Sequence, residues 1–141
     1  MSVIERTATG TWRGNLRGGN GLIDSTSGVL SSTPFTFATR FENAKGTNPE
    51  ELIAAAHAAC FSMAFANFLS QQGHEPEEIK TVATASLEDG RIQRMRLETT
   101  GRVDGLDAKS FARLAVEADQ KCPVSNSYRN CIEITVTGTL L

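Results

Sequence analysis

An α+β fold with mainly antiparallel sheets is what this sequence predicts, and three observations predict it. Strand-like runs separated by turn signals fill the first third of the chain. A long apolar helix with a well-marked start follows. A hairpin, a second amphipathic helix and a strictly alternating strand complete the order β-β-β-α-β-β-α-β. At 141 residues the chain suits one domain, residues 1–141, with main helices over about 49–72 and 107–121.

The elements follow in order. Thr7 to Arg13 reads as a strand carrying Trp12, and Gly18-Gly19-Asn20-Gly21 breaks it as a turn before a second strand over Gly21–Ser25. Phe35 to Phe41 alternates, with Phe35, Phe37, Thr39 and Phe41 on one face, and is expected as a third strand. Thr47 or Asn48 caps the long helix, Pro49 takes its first position, and Glu50 and Glu51 complement the positive end of its dipole. Gly73 stops it. Between Leu52 and Phe68 the helix is apolar nearly all round, more surface than one small domain covers, so a partner subunit is expected. Ile79–Leu87 and Arg91–Val103 form a hairpin across Asp89-Gly90. Asp107 caps the second helix, which runs to Lys121 with Phe111, Leu114, Ala115 and Ala118 on one stripe. Pro123 opens a helical turn through about Tyr128, and Ile132, Ile134 and Val136 alternate in the closing strand.

Composition narrows the function. A formal net charge of −2 with no basic stripe argues against nucleic acid. The longest apolar run is interrupted by His57 and polar residues, and no basic segment followed by an apolar one opens the chain, so neither a membrane span nor a signal peptide is expected. That reading places the protein in the cytoplasm, where thiols stay reduced unless they are catalytic or redox-sensing. Three cysteines, an odd number without CxxC spacing, fit neither a disulfide framework nor a zinc site. No metal site is expected.

The thiols carry the chemistry. Cys60 lies in the charge-free run Ala58-Ala59-Cys60-Phe61-Ser62-Met63, and burial there raises a thiol's pKa, so reactivity requires a cation nearby. His57, one turn earlier on the same face, and Arg40 are the candidates; a hydrogen-bonded core histidine and a surface arginine are the plainer readings. Cys122, followed by Pro123, takes the cap position of a helix start, which lowers a thiol's pKa and frees the sulfur for exchange. Cys131 opens a strand and reads as a packed small hydrophobe, although a Cys122–Cys131 disulfide has to be considered.

At these residues the chain strongly resembles the OsmC/Ohr family of thiol-dependent peroxidases, and within it the OsmC branch. The matching stretches are Gly28-Val29-Leu30, Thr39-Arg40-Phe41-Glu42, the run Lys45–Ile53, the run Ala55–Ala64 and Cys122-Pro123-Val124-Ser125. The resemblance implies an intertwined homodimer with long central helices between sheets and two active sites at the interface. It implies reduction of organic hydroperoxides or hydrogen peroxide by Cys60, with Cys122 as the resolving cysteine and Arg40 and Glu50 as the active-site arginine and glutamate. It also implies that the reduction needs no metal or organic cofactor, and that dithiols such as lipoyl groups recycle the disulfide.

Helix geometry adds a constraint. Glu50 precedes Cys60 by ten residues, about 15 Å along a helix, so a Glu50 that serves the site serves the Cys60 of a partner chain. In the implied mechanism Arg40, oriented by a bidentate pair with Glu50, stabilises the Cys60 thiolate and polarises the peroxide. Cys60 becomes a sulfenic acid and Cys122 condenses with it, which requires Cα atoms within about 7 Å. Phe61, Met63 and Phe65, with Phe35 or Phe37, are candidates to surround an apolar peroxide. Two other readings stay open: a thiol hydrolase using Cys60 with His57 as base, and a small-molecule binding module with inert cysteines.

Overall fold

The computed structural model describes residues 2–141, and contacts divide the chain into two compact units that meet in sequence between Glu51 and Leu52. The first holds the strands β1 (Ala8–Arg13), β2 (Asn20–Ser25) and β3 (Thr33–Phe35), the helix α1 (Phe37–Phe41) and the first turn of α2 (Pro49–Gln71). The second holds the rest of α2, then β4 (Glu78–Glu88), β5 (Arg91–Arg102), α3 (Ala108–Ala118), a short 3₁₀ turn (Asp119–Lys121), α4 (Pro123–Tyr128) and β6 (Glu133–Leu140).

In the first unit β1, β2 and β3 pair in that order, all antiparallel. The expected third strand is corrected: it ends at Phe35, and Phe37–Phe41 is helical. Thr36 and Thr39 close a reciprocal cap, Thr36 Oγ1 accepting from the Thr39 amide (3.2 Å) and Thr39 Oγ1 accepting from the Thr36 amide (2.9 Å). The Phe/Thr alternation looks strand-like, but capping bonds available two residues after a strand end prevail. Phe37 and Phe41, four apart, then stack at 4.9 Å between centroids. Asn48 joins the two helices of this segment: its Oδ1 accepts from the Glu51 amide (2.8 Å) and its Nδ2 donates to the Thr39 carbonyl (3.0 Å).

In the second unit the hairpin forms as expected, with Asp89 (φ 52°) and Gly90 (φ 76°) both left-handed as a two-residue turn with positive φ at both positions demands. β6 pairs with β5 in parallel, not antiparallel. A parallel neighbour needs a crossover, and α3 with α4 supplies it. α3 crosses β6 closely at Gly138, where an added Cβ would stand 2.6 Å from the Ala115 Cβ.

The core of this unit gathers Phe61, Phe65, Phe68 and Leu69 of α2, Met95 and Leu97 of β5, and Phe111, Leu114, Ala115 and Ala118 of α3. Phe65 sits between Phe61 (5.9 Å) and Phe111 (5.1 Å). Although apolar on most sides, α2 buries only one stripe here, and Met63 on another face is 74 % exposed. By length and composition alone α2, at 23 residues with an 18-residue window of mean hydropathy 1.7, could also cross a membrane. Its buried stripe, His57 included, nevertheless packs in a protein core.

The junction between α3 and α4 is held by Arg129. Its guanidinium donates to Asp119 Oδ2 (2.8 Å), the Asp119 carbonyl (2.9 Å) and Asn126 Oδ1 (2.9 Å), tying the end of α3 to the end of α4. Since α3 has no room at Gly138, Gly138→Ala is expected to destabilise the protein by about 1–3 kcal/mol in urea titration. Adding Ala115→Gly should recover part of that loss, giving a double variant more stable than the sum of the single changes.

Candidate active site

Two helices bring the thiols together. Cys60 lies on α2, half-buried rather than enclosed as its neighbours in sequence suggest, and Cys122 is fully buried at the cap of α4. Both are free thiols, close enough to hydrogen-bond each other. Pro123 at the first helical position leaves the Cys122 sulfur facing the amides of the turn, and it accepts from the Ser125 amide at 3.5 Å.

His57 stands on the Cys122 side of this pair. It is 0 % exposed, its Nε2 lies 2.7 Å from Ser125 Oγ, and its ring meets Tyr128 edge-on at 5.8 Å. The plainer reading of His57 as a hydrogen-bonded core residue is what the geometry shows, with a partner the sequence reading left unnamed. Ser125 is likewise fully buried. Its signal was present in the Cys122-Pro123-Val124-Ser125 spacing, which puts a hydroxyl one turn after the cap.

The two sulfurs differ in their ionisation. Burial pushes the Cys60 thiol up, the hydrogen bond from the Val124 amide offsets part of this, and Cys122 raises it further by hydrogen bond and charge. Burial acts on Cys122 in the same sense. There it is outweighed by hydrogen bonds from His57, from the Ser125 amide and hydroxyl, and from Cys60, which bring the Cys122 thiol down to about 7. Within one chain, Cys122 is therefore the first of the two to ionise.

Arg40 and Glu50 come together in the first unit as a bidentate pair. Arg40 Nη2 donates to Glu50 Oε1 at 2.7 Å, and Nε donates to Oε1 and Oε2 at 3.1 and 3.2 Å. The Glu50 side chain is only 14 % exposed while that of Arg40, whose guanidinium lies over the Phe41 ring at 5.0 Å, is 36 % exposed. Beside it is a mostly apolar cavity of about 220 Å³ lined by Trp12, Leu16, Phe35, Phe37, Phe41 and Pro49. Phe35 and Phe37 thus remain candidates to meet an apolar ligand. Phe61 and Phe65 do not, because both are sealed in the core of the second unit.

Cys131 is corrected as well. It is exposed, lies in the turn before β6 rather than in the strand, and is not bonded to Cys122. Its position follows Asn130 in a left-handed conformation (φ 68°), which turns the chain outward after α4. Among the described residues no three His, Cys, Asp or Glu side chains gather as a metal site would require.

Comparison with known proteins agrees with this picture. The family model for OsmC-like proteins matches residues 42–137. The chain is 43 % identical over 127 residues to peroxiredoxin OsmC of Escherichia coli K12, covering 87 % of this chain and 89 % of that one. Among solved structures it is similar to an organic hydroperoxide resistance protein from Elizabethkingia anophelis, with a TM-score of 0.74, 26 % identity and full coverage of both chains. It is similar also to OhrB of Bacillus subtilis, with a TM-score of 0.66, 29 % identity and coverage of 94 % and 98 %. With its thiol pair, its α+β architecture and a family match spanning most of its length, this chain belongs to the OsmC-like family.

Proposed function

We propose that this protein is a thiol-dependent peroxidase that reduces organic hydroperoxides and hydrogen peroxide, with Cys60 as the attacking thiol, Cys122 as the resolving thiol, and Arg40 and Glu50 assisting the first step. The observation that carries this reading is the pair of free thiols within hydrogen-bonding reach on α2 and at the cap of α4. The peroxiredoxin and hydroperoxide-resistance names of its relatives support it. Half-exposed Cys60 meets the peroxide; fully buried Cys122 waits behind it.

The Cys60 thiolate attacks one peroxide oxygen, so an S–O bond forms, the O–O bond breaks and the alcohol or water leaves with a proton. Cys122 then displaces hydroxide from the sulfenic acid, forming the S–S bond and releasing water. A dithiol, of lipoyl type or similar, returns both sulfurs to thiols. Free thiols maintained in this way suit the cytoplasm.

Burial raises the Cys60 thiol, so the first step needs a cation that the thiol's own surroundings on α2 and α4 do not supply. The Arg40 guanidinium, held by Glu50 and Phe41 and still partly exposed, has the permanent charge that role requires. We assign it to the Cys60 of a second copy, on the ten-residue spacing of Glu50 and Cys60 along an unbroken helix and on the exposure of α2 at Met63. The active form is then a homodimer.

One equivalent of cumene hydroperoxide is expected to remove two hydrogens from the protein, mapped by mass spectrometry to Cys60 and Cys122. Cys60→Ser should abolish the change, and Cys122→Ser should accumulate higher oxides on Cys60; turnover unaffected by Cys122→Ser removes that residue from the mechanism. Arg40→Lys, which keeps the charge but loses the fork, should lower kcat/KM by about tenfold or more. Sedimentation at assay concentration should show a dimer, and a fully active monomer would contradict the shared site.

A further inference from the structure

The proposed reaction leaves His57 and Ser125 without a role, yet both are completely buried polar residues directly beside Cys122. A core histidine kept only for packing is a poor choice between α2 and α4, since an apolar side chain would avoid the cost of burying the ring. The hydrogen bonds run in one direction. His57 Nδ1 has no partner, which leaves Nε2 as the working nitrogen. With the ring hydrogen on Nε2, that hydrogen is shared between Ser125 Oγ and the Cys122 sulfur, toward which the Ser125 amide and hydroxyl also donate. Every donor in the chain ends on that sulfur.

We propose that His57 and Ser125 are positioning residues for the resolving thiol: together they seat the Cys122 sulfur as a thiolate aimed at Cys60, and so set the rate of disulfide closure and of its reversal. The proposal rests on the peroxidase reading of the site. In closure, the Cys122 thiolate, its proton already released to solvent, attacks the sulfur of the Cys60 sulfenic acid. The S–S bond forms, the S–O bond breaks, and the departing hydroxide takes a proton from solvent to leave as water. In reversal, the dithiol reductant attacks the Cys60 sulfur, the exposed one, and Cys122 departs as a thiolate into the same seat. The lowered Cys122 thiol is consistent with this, as a low-pKa thiol leaves readily.

The groups around the sulfur are few. Cys60 faces it from α2 beside His57, Tyr128 of α4 meets the histidine ring, and Asp119 below the junction is already engaged by Arg129.

The test separates the seat from the peroxidase reaction. In a Cys60→Ser, Cys131→Ser background, the pH dependence of Cys122 alkylation should show a midpoint near 7, with the thiolate gained as pH rises through it. Adding His57→Leu should raise that midpoint by a unit or more, toward the ordinary thiol value of about 8.5. Ser125→Ala, a deletion of one oxygen, should raise it less, and His57→Gln, which retains a donor, should restore part of the shift. In the protein with all three cysteines, the same substitutions should not slow formation of the Cys60 sulfenic acid after a peroxide pulse, since a less ionised Cys122 opposes the Cys60 thiolate less, while disulfide closure below pH 7 slows about tenfold. A midpoint unmoved by both His57→Leu and Ser125→Ala overturns the inference, whatever the protein does to peroxide. A midpoint that moves in a protein that forms no Cys60–Cys122 disulfide overturns the peroxidase reading instead.

Discussion

The buried hydrogen bond between His57 and Ser125, 2.7 Å long, is the contact on which the thiol site depends, because it is the polar link between α2 and the short helix α4. Six residues make a poor helix on their own. α4 is held at one end by this bond and at the other by the Arg129 clamp on Asp119. Cys122, the cap, lies in sequence between Asp119 of the clamp and Ser125 of this bond, which restrains its sulfur. A protein hydrogen bond is worth about 1 kcal/mol net, but leaving a buried histidine or serine unpaired costs about 1–3 kcal/mol, so the pair also penalises other arrangements of the junction.

That restraint gives two chemically identical side chains different properties. Both sulfurs are partly or wholly removed from water, which by itself would silence both. Hydrogen-bond donors converge on one of them only. Cys60 has the amide of Val124 and the Cys122 thiol as neighbours, and burial prevails; Cys122 has a histidine, a hydroxyl and an amide, and the donors prevail. The asymmetry is a matter of which sulfur sits at a helix start and which in a helix middle. Arg40, paired with Glu50 and partly exposed, is a permanent charge of the kind that the proposed reaction at Cys60 calls for.

How much of this could be read from the chain depended on how local each feature is. The caps at Asn48 and Asp107, the Asp89-Gly90 turn and the helix start at Cys122-Pro123 are set by two to four consecutive residues, and each forms where the sequence indicates. α1 was misread because Phe35 to Phe41 satisfies a period of two and its capping threonines resemble strand residues. The parallel pairing of β6 was misread because alternation reports which face is buried, not which neighbour or direction the strand adopts. Cys131 was misread by extending the alternation of β6 two residues too far toward its N-terminus. The His57–Ser125 bond joins residues 68 apart, and no window along the chain contains both. The proposed site residues and the Arg40–Glu50 pair were legible through resemblance to a family; the donors around Cys122 were not.

The separation of the two thiols has a consequence in time. Cys60 and Cys122 stand on opposite sides of the hairpin and α3, so the pair is complete only when those elements have been synthesised and folded. At typical rates of translation the intervening stretch takes roughly three to twelve seconds to emerge. During that interval Cys60 is a solitary thiol in an apolar segment, with neither the donors of α4 nor a partner sulfur beside it. The nascent chain carries Cys60 alone where the finished fold sets Cys122 beside it, and the fold's slow non-local contacts decide how long that lasts.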